Sequence, residues 1–144
     1  MEPLAALSIT AAVLAVAAAI AIVLRSTTGR ARPGDDSSFA PGQLPGLDVL
    51  GRTATLVQFS TEFCSSCPAT RRLLQRITSD REELTYLDVD LTHDAELASR
   101  LRILQTPTVF VLDRRGRLVS RIGGSPRLDA LTDVLDGLSS IPVR

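Results

Sequence analysis

Hydrophobic and polar positions divide the chain into three stretches. Residues 4–24 are apolar on every side of a helix, with one serine and one threonine as the only polar members. Residues 26–48 are polar and rich in proline and glycine, and no regular apolar period runs through them. The remainder switches between the two-residue period of strands and the 3.6-residue period of helices. The pattern therefore predicts a helical anchor at residues 1–25, a flexible linker at residues 26–48 and one folded domain at residues 49–144.

The apolar stretch has the length of a membrane span. Its 21 residues would extend roughly 31 Å at ~1.5 Å per helical residue, about the thickness of the hydrocarbon layer. A cleaved signal peptide is the alternative, but no basic residue precedes the stretch and it exceeds the usual apolar run of about 7–15 residues. Arg25, Arg30 and Arg32 follow it, and arginine collects on the cytoplasmic side. We expect a single-pass anchor in the cell membrane with the domain facing the cytoplasm, and an extracytoplasmic domain is the alternative.

The proline- and glycine-rich stretch allows two interpretations. Its composition is typical of a flexible linker, and it contains no run of alternating or helical apolar positions. The alternative is an ordered loop packed on the domain near Phe39 and residues 44–49, where apolar side chains return. We expect the linker.

The third stretch predicts a β-α-β-α-β-β-α order, and therefore an α/β fold with a mixed central sheet flanked by helices. Two βα units are followed by a hairpin and a closing helix. We expect this last helix to begin with Ser125 as its N-cap and Pro126 in its first turn. The predicted strands are residues 53–60, 84–90, 108–112 and 118–122, and the other predicted helices are residues 66–79 and 94–101.

Composition excludes several classes of function. Sixteen arginines, with no lysine, balance sixteen acidic residues, whereas nucleic-acid binders carry a clustered basic excess. Aromatic residues make up 3% of the chain and tryptophan is absent, which leaves little for stacking on bases. Two cysteines and one histidine are too few for a closed zinc site within one chain and for a disulfide-rich scaffold. We expect no metal, no cofactor and a monomer.

The two cysteines carry the candidate chemistry. Cys64-Ser65-Ser66-Cys67 lies where the first predicted strand gives way to a helix, and Cys64 as a non-helical cap residue would bring its sulfur close to that of Cys67. Unpaired N–H groups at a helix start stabilise a thiolate, the species that attacks disulfides. A structural disulfide closing so small a loop would add little stability. The spacing favours redox use, and a metal or iron–sulfur site shared between two chains is the other alternative.

At this point the chain resembles the thioredoxin family, and as a whole it resembles membrane-anchored thioredoxin-like proteins of actinobacteria. The matching features are Phe59 at the end of a strand, the C-x-x-C motif, Thr106-Pro107 before a central strand and Gly123 after the hairpin. The resemblance implies that Cys64 attacks and Cys67 resolves, and that Pro107 is preceded by a cis peptide bond. The residues it implies for substrate contact are Phe63, Thr106, Pro107 and Gly123.

Three departures from the family pattern alter the expected chemistry. The motif is Cys-Ser-Ser-Cys rather than Cys-Gly-Pro-Cys, so the family's reduction potential does not transfer. Gln58 stands where the family often has a buried carboxylate, and Tyr86 stands in place of its lysine partner. Because an amide does not take up a proton near neutral pH, we predict slow release of the mixed disulfide, with water as the proton acceptor.

The function that this resemblance implies is that of a membrane-tethered protein-disulfide oxidoreductase. It would exchange a dithiol for a disulfide with partner proteins through Cys64 and Cys67, and a reductase or another redox donor would restore it. This places it in electron transfer and cell redox homeostasis. The alternatives are an extracytoplasmic protein of the cytochrome-maturation or disulfide-formation type, and a non-redox binding module built on the same fold.

Overall fold

A computed structural model describes residues 3–140, and the side chains of residues 6–140. The first two residues of the predicted anchor and the last four of the predicted domain lie outside this part. The elements, in chain order, are α1 (Pro3–Thr27), β1 (Ala31–Pro33), β2 (Ala54–Ser60), α2 (Cys67–Ser79), β3 (Leu84–Asp90), α3 (Ala95–Arg100), β4 (Thr108–Asp113), β5 (Leu118–Gly123) and α4 (Leu128–Ser139). From β2 onward, this is the predicted order.

The strands form one mixed five-stranded sheet in the order β1-β5-β4-β2-β3. β2 and β3 are parallel, as expected for strands joined through a helix. β4 is antiparallel to both β2 and β5. The predicted α/β fold with a mixed sheet flanked by helices is confirmed. The segment with Cys64 and Cys67 follows β2, which is an inner strand of the sheet.

The two faces of the sheet bury separate apolar clusters, because side chains alternate along each strand. Leu56 of β2 lies in the cluster beneath α2 and α4, together with Leu74. Val57 and Phe59 lie on the other face, in the cluster beneath α3 and the segment before β2. There the Phe59 ring meets Phe110 edge-on, with 4.7 Å between centroids. Gln58 consequently belongs to the same face as α2.

The prediction of a flexible linker at residues 26–48 is wrong. β1 extends the sheet by pairing with β5, and Ser38 forms an isolated bridge with Arg117. Leu44 and Leu47 are 2% and 1% exposed and belong to the apolar cluster beneath α3. A three-residue edge strand is held by backbone hydrogen bonds and needs no apolar alternation, so the sequence pattern contained no sign of it. The ordered-loop alternative describes the stretch better.

α1 is a 25-residue helix that continues two residues past the predicted end of the anchor. Its segment Ala6–Thr27 has a mean hydropathy of 2.7, is not buried by the rest of the molecule and is long and apolar enough to cross a membrane. The chain joins the domain immediately afterwards: the Gly29 N–H donates to the Gly123 carbonyl at 2.9 Å, and the Gly29 carbonyl accepts from the Arg127 N–H at 3.1 Å. The end of the anchor is therefore fastened to the domain directly.

α4 begins later than predicted. Its N-cap is Arg127, and its first residue is Leu128. The Ser125 hydroxyl, predicted as the cap, instead accepts a hydrogen bond from Thr70 Oγ1 at 3.4 Å. Ser125 therefore links the start of α4 to α2 rather than capping a helix.

Candidate active site

Cys64 and Cys67 form a disulfide at the start of α2, with an S–S distance of 2.05 Å and a Cα–Cα distance of 5.4 Å. Cys67 is the first helical residue and Ser66 is the N-cap, so the predicted cap position of Cys64 is wrong by two residues. Cys64 lies on the preceding turn, where its carbonyl accepts from the Cys67 N–H at 3.3 Å. Pro68 occupies the first turn of the helix, where a missing N–H is tolerated.

The two sulfurs differ in access. Cys67 is only 3% exposed, whereas Cys64 is half-buried and reaches the surface. In the reduced pair, the helix N-terminus lies beside both cysteines and stabilises a thiolate there. A disulfide of another molecule can therefore reach Cys64, whereas Cys67 is buried and can react only with Cys64.

Gln58 lies directly beneath Cys67. It is completely buried, and its Nε2 donates to the Cys67 carbonyl at 3.0 Å. Its Oε1 accepts from the Tyr86 hydroxyl at 3.1 Å. Burial and the charge of Asp88 raise the pKa of Tyr86 to about 12, so at neutral pH this phenol keeps the proton that it donates. These two hydrogen bonds thus connect Tyr86 on β3 and Gln58 on β2 to the backbone of Cys67. Neither side chain takes up or releases a proton at neutral pH.

The carboxylate opposite Gln58 in the sheet register is Asp88. Ser60 donates its hydroxyl proton to Asp88 Oδ1 at 2.7 Å, and Arg71 of α2 forms a salt bridge with Oδ2. The negative charge of Asp88 raises the pKa of the Arg71 guanidinium. Because both of its oxygens are engaged, Asp88 serves as a link between β3 and α2 rather than as a free base.

The loop before β4 lies beside the redox loop. The Thr106–Pro107 bond is cis, as predicted. Thr106 Oγ1 and Thr61 Oγ1 lie 3.2 Å apart and share a hydrogen bond, which joins this loop to the end of β2. The Pro107 carbonyl accepts from the Gly124 N–H at 2.7 Å. These two hydrogen bonds link the end of β2, the loop before β4 and the end of β5, and the predicted site residues lie on or next to these segments.

Gly123 ends β5 opposite Thr108. A Cβ there would lie 2.5 Å from Nε2 of Gln105, the far end of a flexible side chain that can move aside. Its carbonyl is already occupied by the Gly29 N–H. The prediction that Gly123 admits a substrate backbone remains a prediction.

Comparison with known proteins places this geometry in a family. The family model described as thioredoxin matches residues 48–137, more than half of the chain. This chain belongs to the thioredoxin family. Thioredoxin f2 of Chlamydomonas reinhardtii is similar in structure, with a TM-score of 0.55 and 21% identity over 69% of this chain and 90% of that one.

Two further solved thioredoxins show how far the similarity extends. The long form of spinach chloroplast thioredoxin f has a TM-score of 0.54 and 21% identity over 62% of this chain and 74% of that one. Fasciola hepatica thioredoxin has a TM-score of 0.51 and 16% identity over 84% and 92%. These identities are low enough that the likeness concerns the fold alone. No curated protein matches the chain.

Two large apolar side chains of this thioredoxin domain are almost fully exposed on the segments that carry the predicted site residues. Phe63, next to Cys64, is 89% exposed, and Leu104, two residues before Thr106, is 95% exposed. Sequence reasoning singled out Phe63 but missed Leu104, whose only signal was an apolar residue in a short stretch without a period. Such exposed apolar side chains next to a site are typical of protein-binding surfaces.

The described side chains, residues 6–140, offer no ready metal centre. They include no group of three or more histidine, cysteine, aspartate or glutamate residues close enough to hold an ion. His93, the one histidine of the chain, is exposed on the surface before α3.

Proposed function

We propose that this chain is a membrane-tethered thiol–disulfide oxidoreductase that exchanges electrons with partner proteins. One observation supports this above the others: Cys64 and Cys67 lie within disulfide distance at a helix start, with only the first accessible. Membership of the thioredoxin family agrees with it.

The reaction is thiol–disulfide exchange in two displacements. The Cys64 thiolate attacks one sulfur of a partner disulfide, and the partner's other sulfur leaves as a thiolate. Cys67, once deprotonated, then attacks Cys64 Sγ and displaces the partner's remaining thiolate. The partner gains two electrons and, on protonation, two protons, while Cys64 and Cys67 end as a disulfide. A reductase or another dithiol donor returns the pair to the reduced form, and the reverse sequence would oxidise a dithiol partner.

The second displacement requires that Cys67 lose its proton. The nearest side chain beneath it is Gln58, whose amide does not accept a proton near neutral pH. Tyr86, with its pKa raised to about 12 by burial and Asp88, is already protonated. Water is therefore the acceptor, and release of the mixed disulfide is the slow step.

Partner contact falls to the residues around Cys64. Thr106, with Pro107, offers backbone to an extended partner segment beside the disulfide, and Gly123 borders the same surface. Phe63 offers a large apolar surface, because it is almost fully exposed. This assignment rests on the family resemblance together with the hydrogen bonds that link the end of β2, the loop before β4 and Gly124.

The anchor is α1, and we place the domain on the cytoplasmic side of the cell membrane. The helix has the length and hydropathy of a span, and Arg25, Arg30 and Arg32 follow its apolar part. A reporter fused to the C-terminus tests this orientation. Reporter activity limited to the outside would favour the extracytoplasmic alternative, in which the same disulfide chemistry serves proteins beyond the membrane.

Single cysteine variants of the full chain test the redox roles. Cys67→Ser removes the second displacement, so we expect partners to accumulate as mixed disulfides visible on non-reducing gels. Cys64→Ser is the matched control: it removes one sulfur from the same loop, and it should trap nothing and reduce no insulin. Insulin reduction by both single variants would contradict the assignment. Full cellular function of a Cys64→Ala, Cys67→Ala chain would favour a non-redox binding module.

A further inference from the structure

A cavity of about 520 Å³ lies between the end of α1 and the domain. Leu24, Thr27 and Thr28 form its wall on the anchor side. On the other side it is bounded by the loop before β4, including Gln105, and by the end of β5. The cavity is thus built jointly by the end of α1 and the thioredoxin domain, and Leu104 and Gly123, which also line it, border the proposed partner surface.

The position of the cavity along α1 sets its depth in a membrane. The apolar span ends at Thr27, and this residue and Leu24 both line the cavity. A 22-residue span is about 33 Å long at ~1.5 Å per residue, enough to cross the hydrocarbon layer. Its last turn therefore lies at the level of the lipid headgroups. This step rests on the proposed membrane anchoring.

The lining of the cavity is strongly cationic. Arg30, Arg32, Arg102 and Arg121 line it, and its lining contains no aspartate or glutamate. Of these four, only Arg121 has a salt-bridge partner among the described residues, namely Asp35 at 3.9 Å. Burial and the neighbouring charge of Arg102 contribute to the lowered pKa of Arg121. Arg30, Arg32 and Arg102 thus form no salt bridge among the described residues, although the charge of Arg102 also acts on Asp35.

The backbone around these arginines is held in place. Arg102 adopts a left-handed conformation, with φ of 53°, which is unfavourable for a residue with a side chain and is found where surrounding structure enforces it. Arg121 Nη1 donates to the Arg102 carbonyl at 3.1 Å and to the Leu101 carbonyl at 2.9 Å. These bonds hold the Arg121 guanidinium in place, whereas Arg30, Arg32 and Arg102 are exposed, and the left-handed conformation of Arg102 follows from its position after the C-cap of α3.

The end of α1 would repel an anion if its last carbonyls were bare, because a helix C-terminus carries partial negative charge. Several hydroxyls at the end of α1 engage these carbonyls. Ser26 donates to Val23 at 2.9 Å, and Thr28 donates to Leu24 at 2.9 Å. Thr27 also donates to Leu24, at 3.0 Å. The arginines therefore dominate the electrostatics of the cavity.

We propose that this cavity binds the phosphate of an anionic phospholipid headgroup. Arginine pairs with phosphate oxygens through two parallel N–H donors, and anionic lipid attracts basic residues at a membrane surface. The acyl chains would continue alongside Leu24, on the apolar face of the anchor. A bound headgroup would thereby fix the domain against the bilayer.

Native mass spectrometry of the full chain, released from micelles containing equal amounts of phosphatidylglycerol and phosphatidylcholine, tests the site. We expect the phosphatidylglycerol adduct to exceed the phosphatidylcholine adduct about tenfold, a difference of one decade in affinity. Arg32→Gln with Arg102→Asn should abolish the preference, and asparagine tolerates the left-handed conformation at position 102. The matched control is Arg72→Gln with Arg76→Asn, which removes the same charge from exposed positions of α2 and should keep the preference.

Three results would overturn the proposal. These are equal retention of both lipids by the unaltered chain, equal loss in the control variant, and displacement of the lipid by inorganic phosphate alone, which would indicate a site for free phosphate. Insulin reduction should be unchanged in both double variants, so failure of the redox proposal is detected separately. Release of the chain from membranes by alkaline carbonate would overturn the anchor together with this site.

Discussion

Phe59 and Phe63 lie four residues apart at the end of β2 and have opposite surroundings. Phe59 is completely buried and packs edge-on against Phe110 at 4.7 Å. Phe63 is 89% exposed, next to Cys64. The same contrast separates the cysteines, because Cys67 is buried above Gln58 whereas Cys64 reaches the surface.

This contrast in exposure separates the surroundings of the two cysteines into a buried inner region and an exposed outer region. The inner region consists of Phe59, Gln58 and Cys67, all of which are buried, and Gln58 holds the backbone of Cys67 through a hydrogen bond to its carbonyl. The outer region consists of Phe63, which is exposed, and Cys64, which is half-buried, and both reach the surface. Changes inside should therefore affect folding and resolution, and changes outside should affect recognition.

The largest expected effect comes from the inner phenylalanine. Phe59→Ala should lower the free energy of unfolding by about 3–5 kcal/mol, because it removes a buried ring and leaves a cavity. Phe63→Ala, the matched exposed change, should alter it by no more than about 0.5 kcal/mol. Urea denaturation of both variants measures the difference. Similar losses in the two variants would remove the distinction between the inner and outer regions.

The next effect sharpens the role of the buried amide. Gln58→Asp introduces a proton acceptor beneath Cys67 and should speed release of the mixed disulfide about a hundredfold at mildly alkaline pH, the lower end of the range for general acid–base catalysis. Gln58→Asn is the matched control, since it has the length of aspartate without its basicity. Single-turnover kinetics with a preformed mixed disulfide gives the rate. An unchanged rate in Gln58→Asp, or an equal gain in Gln58→Asn, would contradict a proton-limited step.

A smaller effect concerns the outer region. Phe63→Ala and Leu104→Ala should each lower kcat/KM for a protein disulfide by about threefold to tenfold, because truncating an interface side chain commonly removes about 1 kcal/mol. Oxidised glutathione, too small to reach both side chains, should react at an unchanged rate. Val49→Ala, which alters another exposed apolar residue, serves as the control. A parallel loss with glutathione would indicate altered sulfur chemistry instead of recognition.

The smallest effect is a shift in a titration. Tyr86 is the only tyrosine and tryptophan is absent, so tyrosinate absorbance reports this residue alone. Its midpoint should lie at about 12 in the folded chain, because burial and Asp88 raise the pKa, against about 10 in the unfolded chain. The folded state then binds more protons between these values, and stability should fall as pH rises through that range.

Tyr86→Phe provides the check on this titration. Without the phenol, the part of the alkaline decline that belongs to position 86 should disappear from urea midpoints measured across the same pH range. A midpoint near 10 for the folded chain would mean that water reaches the hydroxyl that donates to Gln58.

Most of the secondary structure of the domain could be predicted from the sequence because its strands are apolar and short. The strand Leu84–Asp90 was predicted at its observed bounds, since β-branched and apolar residues alternate there. β1 was not predictable: Arg32 and Pro33 are exposed, and the strand is held by pairing with β5 rather than by a side-chain pattern. The start of α4 was missed because Ser125 contacts Thr70, a contact between residues distant in the sequence.

The candidate site, too, could be predicted only in part from the sequence. The spacing of Cys64 and Cys67 predicted redox use, and the family resemblance indicated the cis bond before Pro107. The hydrogen bond from Gln58 to the Cys67 carbonyl follows from strand register and helix placement, which no local pattern encodes. The arginine-lined cavity could not be predicted from the sequence either, because its arginines come from separate parts of the chain.

The junction at Gly29 bears on how the protein meets its partners. Backbone hydrogen bonds to Gly123 and from Arg127 on either side of this residue leave no slack between the last turn of the anchor and the sheet. With α1 in a bilayer, as proposed, a domain fastened in this way would keep one height and one orientation. Encounters with partners would then depend on lateral diffusion within the membrane plane, and cysteines at another distance from the lipid surface would lie outside its reach.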